Sequence, residues 1–325
     1  MLNMPASPTL IVDTAYLYFR AYYGVSASLV DDSGRPVNAV YGLLEMLTRL
    51  IGAYSPTVLF CAWDDDWRPA WRVELVPSYK LHRVATPEVF VGQAAEVVAE
   101  GSSADLEVVE DDLAAQVPWI FDCLTAVGLC VVGAPDHEAD DVIGTLARTT
   151  AAAGGEVVVV TGDRDLFQLV GDHVKVAYVA RGVARHELVD DDWLRLKYGV
   201  VGGQYADFAT LRGDASDGLP GVPGIGEKTA ASLLNAYGDL DGVLAAAADP
   251  ASGLPLRQRL RLTAADDYLL RARLVVATAQ LDLPVLDAEL RPGRADLARC
   301  DELAQRHNVT GPMTRLLSVL GEIPH

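Results

Sequence analysis

The chain has 325 residues, is 50% hydrophobic and 7% aromatic, and carries a formal net charge of −19. This composition allows a sizeable core and argues against wholesale disorder, while four scattered cysteines without a CxxC pair argue against a zinc site and a disulfide framework. No apolar run reaches membrane-spanning length and the N-terminus lacks the basic start of a signal peptide, so we expect a cytoplasmic protein with no membrane partner.

Three short apolar runs predict buried parallel strands, and an aspartate follows the end of each run by one or two residues. A single aspartate in this position is most simply explained as a helix N-cap. In open parallel sheets, however, ligands bind at the edge where the carboxyl ends of the strands meet. Alternating strand and helix patterns therefore predict an α/β domain with a ligand site at that edge. The runs are residues 9–12, 57–62 and 157–161, and their aspartates are Asp13, Asp64 and Asp163.

Between the first two runs, apolar residues at helical spacing predict a helix over residues 39–54, with Asn38 as its cap. Residues 68–83 then form the most basic stretch of the front half, with aromatic residues interleaved. This stretch is either a solvated surface loop or a phosphate clamp beside a metal site. Residues 92–112 follow and hold seven acids and no Lys or Arg, so they supply much of the negative charge.

The densest group of carboxylates lies between residues 138 and 165. Packing like charges together costs energy unless a cation neutralises them. The stretch therefore predicts a divalent-metal site with oxygen ligands, which fit Mg²⁺ or Mn²⁺. Such ions would also weaken the objection that the net charge raises against a polyanionic partner. The residues are Glu138, Asp140, Asp141, Asp163 and Asp165.

The second half of the chain reads as mainly helical. Residues 213–226 interrupt it with a Gly- and Pro-rich loop, and a helix restarts at Glu227. This pattern is similar to a helix-hairpin-helix DNA-binding element, because glycines let the backbone approach a phosphate and the next helix offers its free N–H groups to the anion. Lys228 adds positive charge there. The alternative is an ordinary Gly/Pro turn between two helices.

Together these motifs resemble the bacterial 5′ nuclease family of flap endonucleases and 5′→3′ exonucleases, which includes the nuclease part at the front of bacterial DNA polymerase I. The resemblance runs in order from about residue 9 to about residue 240. The matching segments are LIVD (10–13), GRPVNAVYG (34–42), AWD (62–64), WR (71–72), YKLHR (79–83), HEADDVIGTLA (137–147), VVTGDRDLFQLV (159–170), KYGV (197–200) and GDASDGLPGVPGIGEKTAASLL (213–234).

The resemblance implies an α/β fold with a mostly parallel central sheet flanked by helices, of the PIN-like or resolvase-like 5′ nuclease type. It implies a nuclease core over residues 1–185 with a helical arch at about 77–118. The acidic insertion 92–112 falls in this arch, and the compact family version lacks it. Residues 186–325 would form a helical C-terminal region that contains the helix-hairpin-helix element at about 203–237.

The resemblance also implies a site of carboxylates that holds two divalent ions and hydrolyses phosphodiesters. The first ion would draw mainly on Asp64, Glu138 and Asp140. The second would draw on Asp163, Asp165 and Asp214. Asp13, Asp141 and Asp217 would bind directly or through water.

Several other roles follow from the resemblance alone. Lys80, Arg83 and Arg72 match the basic catalytic residues around the arch, and Tyr79 would stack on a displaced base. The backbone carbonyls of Pro220, Val222 and Ile225 would hold K⁺ at the hairpin. Gly224, Gly226 and Lys228 would contact the DNA backbone.

The implied function is a structure-selective 5′ nuclease with flap endonuclease and 5′→3′ exonuclease activity in primer removal and DNA repair. Its substrates would be DNA with 5′ flaps, nicks or 5′ ends, with RNA–DNA hybrids as a further option. We expect a monomer with transient contacts to repair and replication proteins. A PIN-like ribonuclease is disfavoured by the hairpin and by YKLHR, and a non-catalytic junction-binding protein is disfavoured because all nine acids are present.

Overall fold

The computed structural model describes residues 7–84 and 109–322. A six-stranded sheet in the order β3-β2-β1-β4-β5-β6 forms its centre. Neighbouring strands are parallel except β5 and β6, which are antiparallel. The strands are β1 (Thr9–Asp13), β2 (Val58–Ala62), β3 (Cys130–Val132), β4 (Val157–Thr161), β5 (Val174–Tyr178) and β6 (Glu187–Val189).

Helices cover both faces of this sheet and build the C-terminal region. The described residues contain fourteen α-helices. They are α1 (Thr14–Gly24), α2 (Asn38–Tyr54), α3 (Ala70–Leu75), α4 (Asp111–Ala114), α5 (Val117–Ala126), α6 (Ala139–Ala152), α7 (Asp191–Tyr198), α8 (Tyr205–Arg212), α9 (Glu227–Tyr237), α10 (Leu240–Ala248), α11 (Leu256–Ala264), α12 (Asp266–Val276), α13 (Leu297–Arg306) and α14 (Thr310–Val319).

The period-2 alternation of the strands divides the interior into two large cores. In β1, Ile11 joins one core with α6, α8 and α9. Leu10 and Val12 point to the opposite face and join the other core with α2, α5 and α14. Both sides of the strand are fully buried, which is why its sequence is a continuous apolar run rather than an alternating one.

The strand order places a topological switch point between β1 and β4. The chain builds β2 and β3 on one side of β1, and then returns to place β4 on the other side. Asp13 is the last residue of β1, and Asp163 follows the end of β4 by two residues. Because ligands bind at such switch points, the fold brings both aspartates to the expected edge of the sheet.

The predicted α/β class and its mostly parallel sheet are confirmed, whereas the role of Asn38 was wrong. Asn38 is the first residue of α2, and the N-cap position, Val37, makes no side-chain cap bond. The Asn38 amide instead donates to the carbonyls of Tyr22 and Val25, at 2.7 and 3.2 Å, and so satisfies the end of α1. Strands β3 and β6, of three residues each, were not predicted.

The chain after α12 returns to the sheet. Residues 277–296 contain no helix, and their backbone hydrogen-bonds beside β2, through Leu59 N–H to Ala288 O at 3.0 Å and Leu290 N–H to Thr57 O at 2.8 Å. Helix α13 then packs on α5, and α14 packs on α2. The last two helices therefore cover the central sheet rather than the hairpin region.

Residues 85–108 of the expected arch, and with them most of the acidic insertion 92–112, lie outside the described residues. Residues 77–84 and 109–118 of the arch are described. Within the described ranges, no helix is both long enough and apolar enough to cross a membrane.

Candidate active site

Asp13 is fixed where β1 meets α1. Its Oδ1 accepts a hydrogen bond from the Tyr16 N–H at 3.0 Å and so caps α1, and its Oδ2 accepts from the Thr161 hydroxyl at 2.6 Å. Burial raises the pKa of Asp13 to about 7; the two hydrogen bonds oppose this shift, and the charges of Asp64 and Asp163 add to it. Asp13 is thus the N-cap of α1 and also lies close enough to Asp64 and Asp163 to feel their charges.

Two further carboxylates come from the loop after β2 and from α6. The Oδ1 of Asp64 accepts from the Ala139 N–H at 2.7 Å, which links the end of β2 to the start of α6. Burial raises the pKa of Asp64 to about 6, and Glu138 contributes to the shift. Burial also raises the pKa of Asp140 well above its ordinary value, with further contributions from Asp163 and Asp13.

The turn after β4 supplies the next pair. Asp163 is exposed, and its Oδ1 accepts from the Asp165 N–H at 2.9 Å. Burial raises the pKa of Asp165 well above its ordinary value, and Asp163, Asp217 and Asp214 reinforce the shift. The mutual repulsion shows that the turn and the later loop share one electrostatic site.

Asp214 and Asp217 come from the loop that follows α8. The Oδ2 of Asp214 pairs with Arg212 at 3.1 Å. Burial raises the pKa of Asp217 to about 6, against the opposing charge of Lys80. Gly218 lets this loop approach the basic segment, because a Cβ there would lie 2.1 Å from the Ser78 carbonyl oxygen and its φ is +70°.

The donor set suits hard divalent cations, because it consists of carboxylate oxygens whose pKa values are raised by burial first and by neighbouring carboxylates second. Among the described residues, however, no three His, Cys, Asp or Glu side chains are grouped so that they could hold one ion. Several carboxylates are engaged with protein partners instead. Binding of an ion at this site therefore requires side chains to turn away from those partners.

Glu138 has the most extensive set of partners. It lies 3% exposed at the N-cap of α6, accepts from the Tyr79 hydroxyl at 2.7 Å and forms an ion pair with Lys80. Arg72 lies 3.1 Å from its Oε1. Burial acts to raise the pKa of Glu138, but Lys80 and Arg72 outweigh it and lower the pKa, so this carboxylate is charged.

Arg72 and Asp141 form a buried ion pair next to Glu138. The Arg72 side chain is 3% exposed and donates to Asp141 Oδ1 at 2.7 Å and to the Val275 carbonyl at 3.1 Å. Asp141 is fully buried and also accepts from the Ala279 N–H at 2.7 Å. The two residues are thus held by each other in this structure, and their roles toward a phosphate and an ion stay predictions.

Tyr79 is buried in this structure, and its stacking on a base stays a prediction. Its ring is 3% exposed, and its hydroxyl is directed at Glu138. Lys80, the next residue, has a left-handed backbone with φ of 48°, which a non-glycine residue adopts only at a cost. This conformation directs Tyr79 and Lys80 toward the same carboxylate.

Arg83 and the hairpin lie beside the carboxylates. Arg83 donates to the Ser216 carbonyl at 3.1 Å and lies 3.5 Å from Asp217, so it is held by the loop after α8. In the hairpin, Gly226 occupies the N-cap position of α9. Gly224, Gly226 and Lys228 are exposed, so the N-terminus of α9 is open to solvent. The Val222 carbonyl, one of the three expected K⁺ ligands, accepts from the Ile225 N–H at 2.9 Å.

Sequence reasoning missed the residues that hold the carboxylates in place. Thr161 bonds Asp13, and Arg212 pairs with Asp214. Gln168 bonds the Asp165 carbonyl at 2.8 Å. A polar residue at the end of an apolar strand was a usable signal for Thr161, whereas the partners of Arg212 and Gln168 depend on loop geometry.

Two family models match successive parts of the chain. Residues 8–199 match the N-terminal resolvase-like domain of 5′-3′ exonucleases, and residues 200–297 match their C-terminal SAM fold. The chain belongs to the 5′-3′ exonuclease family. A 5′-3′ exonuclease of Streptomyces coelicolor is 50% identical over 96% of this chain and 99% of its own length. One of Mycobacterium tuberculosis is 42% identical over 98% of this chain and 99% of its own length.

This family member also has the fold of a viral nuclease. The bacteriophage T5 flap endonuclease, in a pseudo-enzyme–product complex with DNA and metal ions, superposes with a TM-score of 0.61. The match covers 96% of this chain and 99% of the phage chain at 17% identity. At that identity the match concerns the fold alone, which is a resolvase-like sheet domain followed by a helical region.

Proposed function

We propose that this protein is a structure-selective 5′ nuclease that hydrolyses DNA phosphodiesters with divalent ions. The observation that carries the proposal is the pooling of carboxylates from β1, β2, α6, the turn after β4 and the loop after α8, beside an open hairpin. The near full-length relatives named 5′-3′ exonucleases support the exonuclease activity. The fold shared with the T5 flap endonuclease supports the flap endonuclease activity.

Two ions would be held at the two ends of the carboxylate group once the side chains turn away from their protein partners. When bound, they would lower the pKa of the attacking water and stabilise charge on the transferring phosphate. Hard oxygen ligands favour Mg²⁺ or Mn²⁺. Asp64, Glu138 and Asp140 would hold one ion, and Asp163, Asp165 and Asp214 the other, with Asp13 and Asp217 between them acting directly or through water.

Lys80 and Arg83 would act on the scissile phosphate. The Lys80 ammonium lies among carboxylates at the edge of the site, and burial, which alone would lower its pKa, is outweighed by Glu138, so its pKa is raised and it remains charged. A fixed cation in a partly desolvated site stabilises developing negative charge more strongly than one in water. Arg83, held by Ser216 and Asp217, offers a second cation to the same phosphate.

The hairpin would hold the duplex by its backbone. The exposed N-terminus of α9 and Lys228 offer N–H groups and charge to a phosphate, and such contacts position DNA without reading its sequence. K⁺ bound by the carbonyls of Pro220, Val222 and Ile225 would bridge the hairpin to that phosphate. Among the described residues, the Val222 carbonyl accepts one hydrogen bond, which leaves its second lone pair for an ion.

A basic groove would weaken the objection that the net charge of −19 raises against a polyanionic substrate. A cavity of about 760 Å³ lies between α1, α2 and the loop after β5, and Tyr16 at its margin also interacts with Asp13 and Asp163. Within the described part of the chain, the side chains of Arg49, Arg181 and Arg185 in this groove make no hydrogen bond or ion pair. Unneutralised arginines among aromatic rings fit a DNA strand that leaves the active site.

The biological setting follows the family. Primer removal and DNA repair suit a nuclease that acts on 5′ flaps, nicks and 5′ ends, with RNA–DNA hybrids as a further substrate. We propose a monomer with transient contacts to replication and repair proteins, in the cytoplasm, and with a nuclease core over residues 1–185. No specific observation favours the ribonuclease or the non-catalytic alternative.

The test is incubation of the purified protein with a 5′-labelled flap duplex in EDTA, Mg²⁺ or Mn²⁺. The proposal predicts cuts near the flap junction with either ion and none in EDTA. A single-stranded RNA of the same length serves as the competing substrate. Cleavage of the RNA alone would favour the PIN-like ribonuclease, and binding of the flap without cleavage would favour the junction-binding protein.

A further inference from the structure

A short segment after α12 contacts both halves of the carboxylate site from behind. We call residues 276–281 the strap. Helix α12, which leads into the strap, contacts the hairpin. The Tyr268 hydroxyl on α12 accepts a hydrogen bond from the Gly221 N–H at 3.2 Å. Its contacts with α6 and with the turn after β4 are made by different side chains, and one of them, Asp141 on α6, is also a carboxylate that the sequence predicts for the metal site.

On the α6 side, the strap is anchored by several bonds. The Ala279 N–H donates to Asp141 at 2.7 Å, and the Leu281 N–H donates to the Thr145 hydroxyl at 3.0 Å. Arg148 donates to the Thr278 hydroxyl at 2.8 Å. The approach is close enough to need a glycine, because a Cβ on Gly144 would lie 2.5 Å from that hydroxyl.

On the turn side, a single amide makes the connection. Gln168 Nε2 donates to the Val276 carbonyl at 3.0 Å and to the Asp165 carbonyl at 2.8 Å, and its Oε1 accepts from the Thr278 N–H at 3.0 Å. Both N–H groups and the carbonyl oxygen of the amide are thus used. Across residues 7–84 and 109–322, the turn 163–169 and the strap share no other hydrogen bond.

We propose that Gln168 is a positioning residue which, through the strap, fixes Asp163 and Asp165 relative to Glu138 and Asp140 on α6. The inference rests on the proposed function, because the distance between these pairs matters only if they hold ions. Two ions can be held together only when their ligand sets keep a set separation. Gln168 itself touches neither substrate nor ion.

The experiment measures Mn²⁺ binding by electron paramagnetic resonance of free Mn²⁺, without DNA, for wild type and Gln168→Ala. We expect the variant to bind the ions about 10- to 100-fold more weakly, the range seen when an outer-shell partner of a metal ligand is removed. Cleavage should recover as Mg²⁺ is raised, while KM for DNA stays the same. If Gln168→Ala folds poorly, Gln168→Met replaces it, because methionine keeps the length of the side chain. We expect the same loss of Mn²⁺ affinity in Gln168→Met.

Gln204→Ala is the matched control. Gln204 is also half-buried, donates to the Leu234 and Gly238 carbonyls at 3.2 and 2.8 Å, and accepts from the Val201 N–H at 3.3 Å. It loses the same number of bonds far from the strap, so Mn²⁺ affinity should match wild type.

Three results would count against the inference. Unchanged Mn²⁺ affinity in both Gln168 variants, with normal binding by wild type, would overturn it alone. Equal weakening in Gln204→Ala would show a general loss of stability and would overturn it as well. No Mn²⁺ binding by wild type would instead overturn the proposed function, and the inference with it.

Discussion

The ammonium group of Lys80 is buried against the carboxylate of Glu138 and forms an ion pair with it. The side chains are 12% and 4% exposed, so water screens the pair weakly. The Lys80 backbone N–H also donates to the Asp217 carbonyl at 3.0 Å, which ties the basic segment to the loop after α8. Lys80 thus connects the basic segment to Glu138 and to the loop after α8, and it places a positive charge beside the carboxylates of Asp64, Glu138 and Asp140.

Lys80→Ala should abolish most cleavage while leaving DNA binding largely intact. Removal of one preorganised charge at a reacting group costs about 100-fold in kcat. The measurement is single-turnover cleavage of a flap duplex at saturating Mg²⁺, beside a binding assay in Ca²⁺. Lys175→Ala, on β5 and outside the site, is the control and should cleave as wild type does. Undiminished cleavage by Lys80→Ala would remove Lys80 from the mechanism.

Tyr79→Phe separates a hydroxyl role from a stacking role. The phenyl ring keeps any stacking, whereas the bond to the charged Glu138 is lost, at a cost of about 1.5–3 kcal/mol in the free energy of unfolding. Tyr237→Phe is the control, because its hydroxyl donates to the neutral Ser252 carbonyl at 3.1 Å and its loss should cost about 0.5–1.5 kcal/mol. Urea unfolding measures both. An unfolding free energy unchanged in Tyr79→Phe would contradict the buried bond.

Stability without metal should decrease with pH because of Asp13. Its pKa is about 7 in the folded protein, against an ordinary value of 3.8, so the folded state binds the proton more tightly than the unfolded state. That contribution is complete below about pH 4 and is lost as the pH rises through 7. In EDTA, the Tm of wild type should therefore fall more between pH 5 and pH 8 than that of Asp13→Asn. Parallel Tm curves for the two proteins would argue against the raised pKa.

The basic groove should contribute phosphate contacts that depend on salt. Arg49→Ala and Arg181→Ala should each weaken binding of a flap duplex and reduce the slope of log Kd against log salt by about 1. Arg306→Ala is the control, because Arg306 pairs with Glu302 at 2.6 Å on α13. Binding is measured by fluorescence anisotropy in Ca²⁺ at several salt concentrations. A slope that stays constant in both groove variants would place the DNA elsewhere.

The sequence predicted the frame of the site because its signals were local. Asp13, Asp64 and Asp163 each follow an apolar run, and parallel strands bring their carboxyl ends to one edge. Strands β3 and β6 were missed because three residues carry too little periodicity to be recognised. Asn38 was misread since its carbonyl partners, 13 and 16 residues earlier, are supplied by the packing of α1 on α2.

The supporting network could not be read from the chain for a different reason. Arg72 meets Asp141 across 69 residues and Val275 across 203, so no spacing rule connects them. A basic and an aromatic residue near a phosphate site look the same in sequence whether they face the substrate or support a carboxylate from within. Burial distinguishes the two arrangements, and only the folded structure shows that Arg72 and Tyr79 are buried.

The most direct test of metal-dependent cleavage at this sheet edge compares Asp163→Ala with Asp172→Ala on a 5′-labelled flap duplex in Mg²⁺ and in Mn²⁺. Asp163 is exposed at the switch point, whereas Asp172 is exposed at the far end of the neighbouring strand. We predict that Asp163→Ala binds the flap but does not cut it, and that Asp172→Ala cuts near the junction as wild type does. Equal cleavage by the two variants would contradict the account.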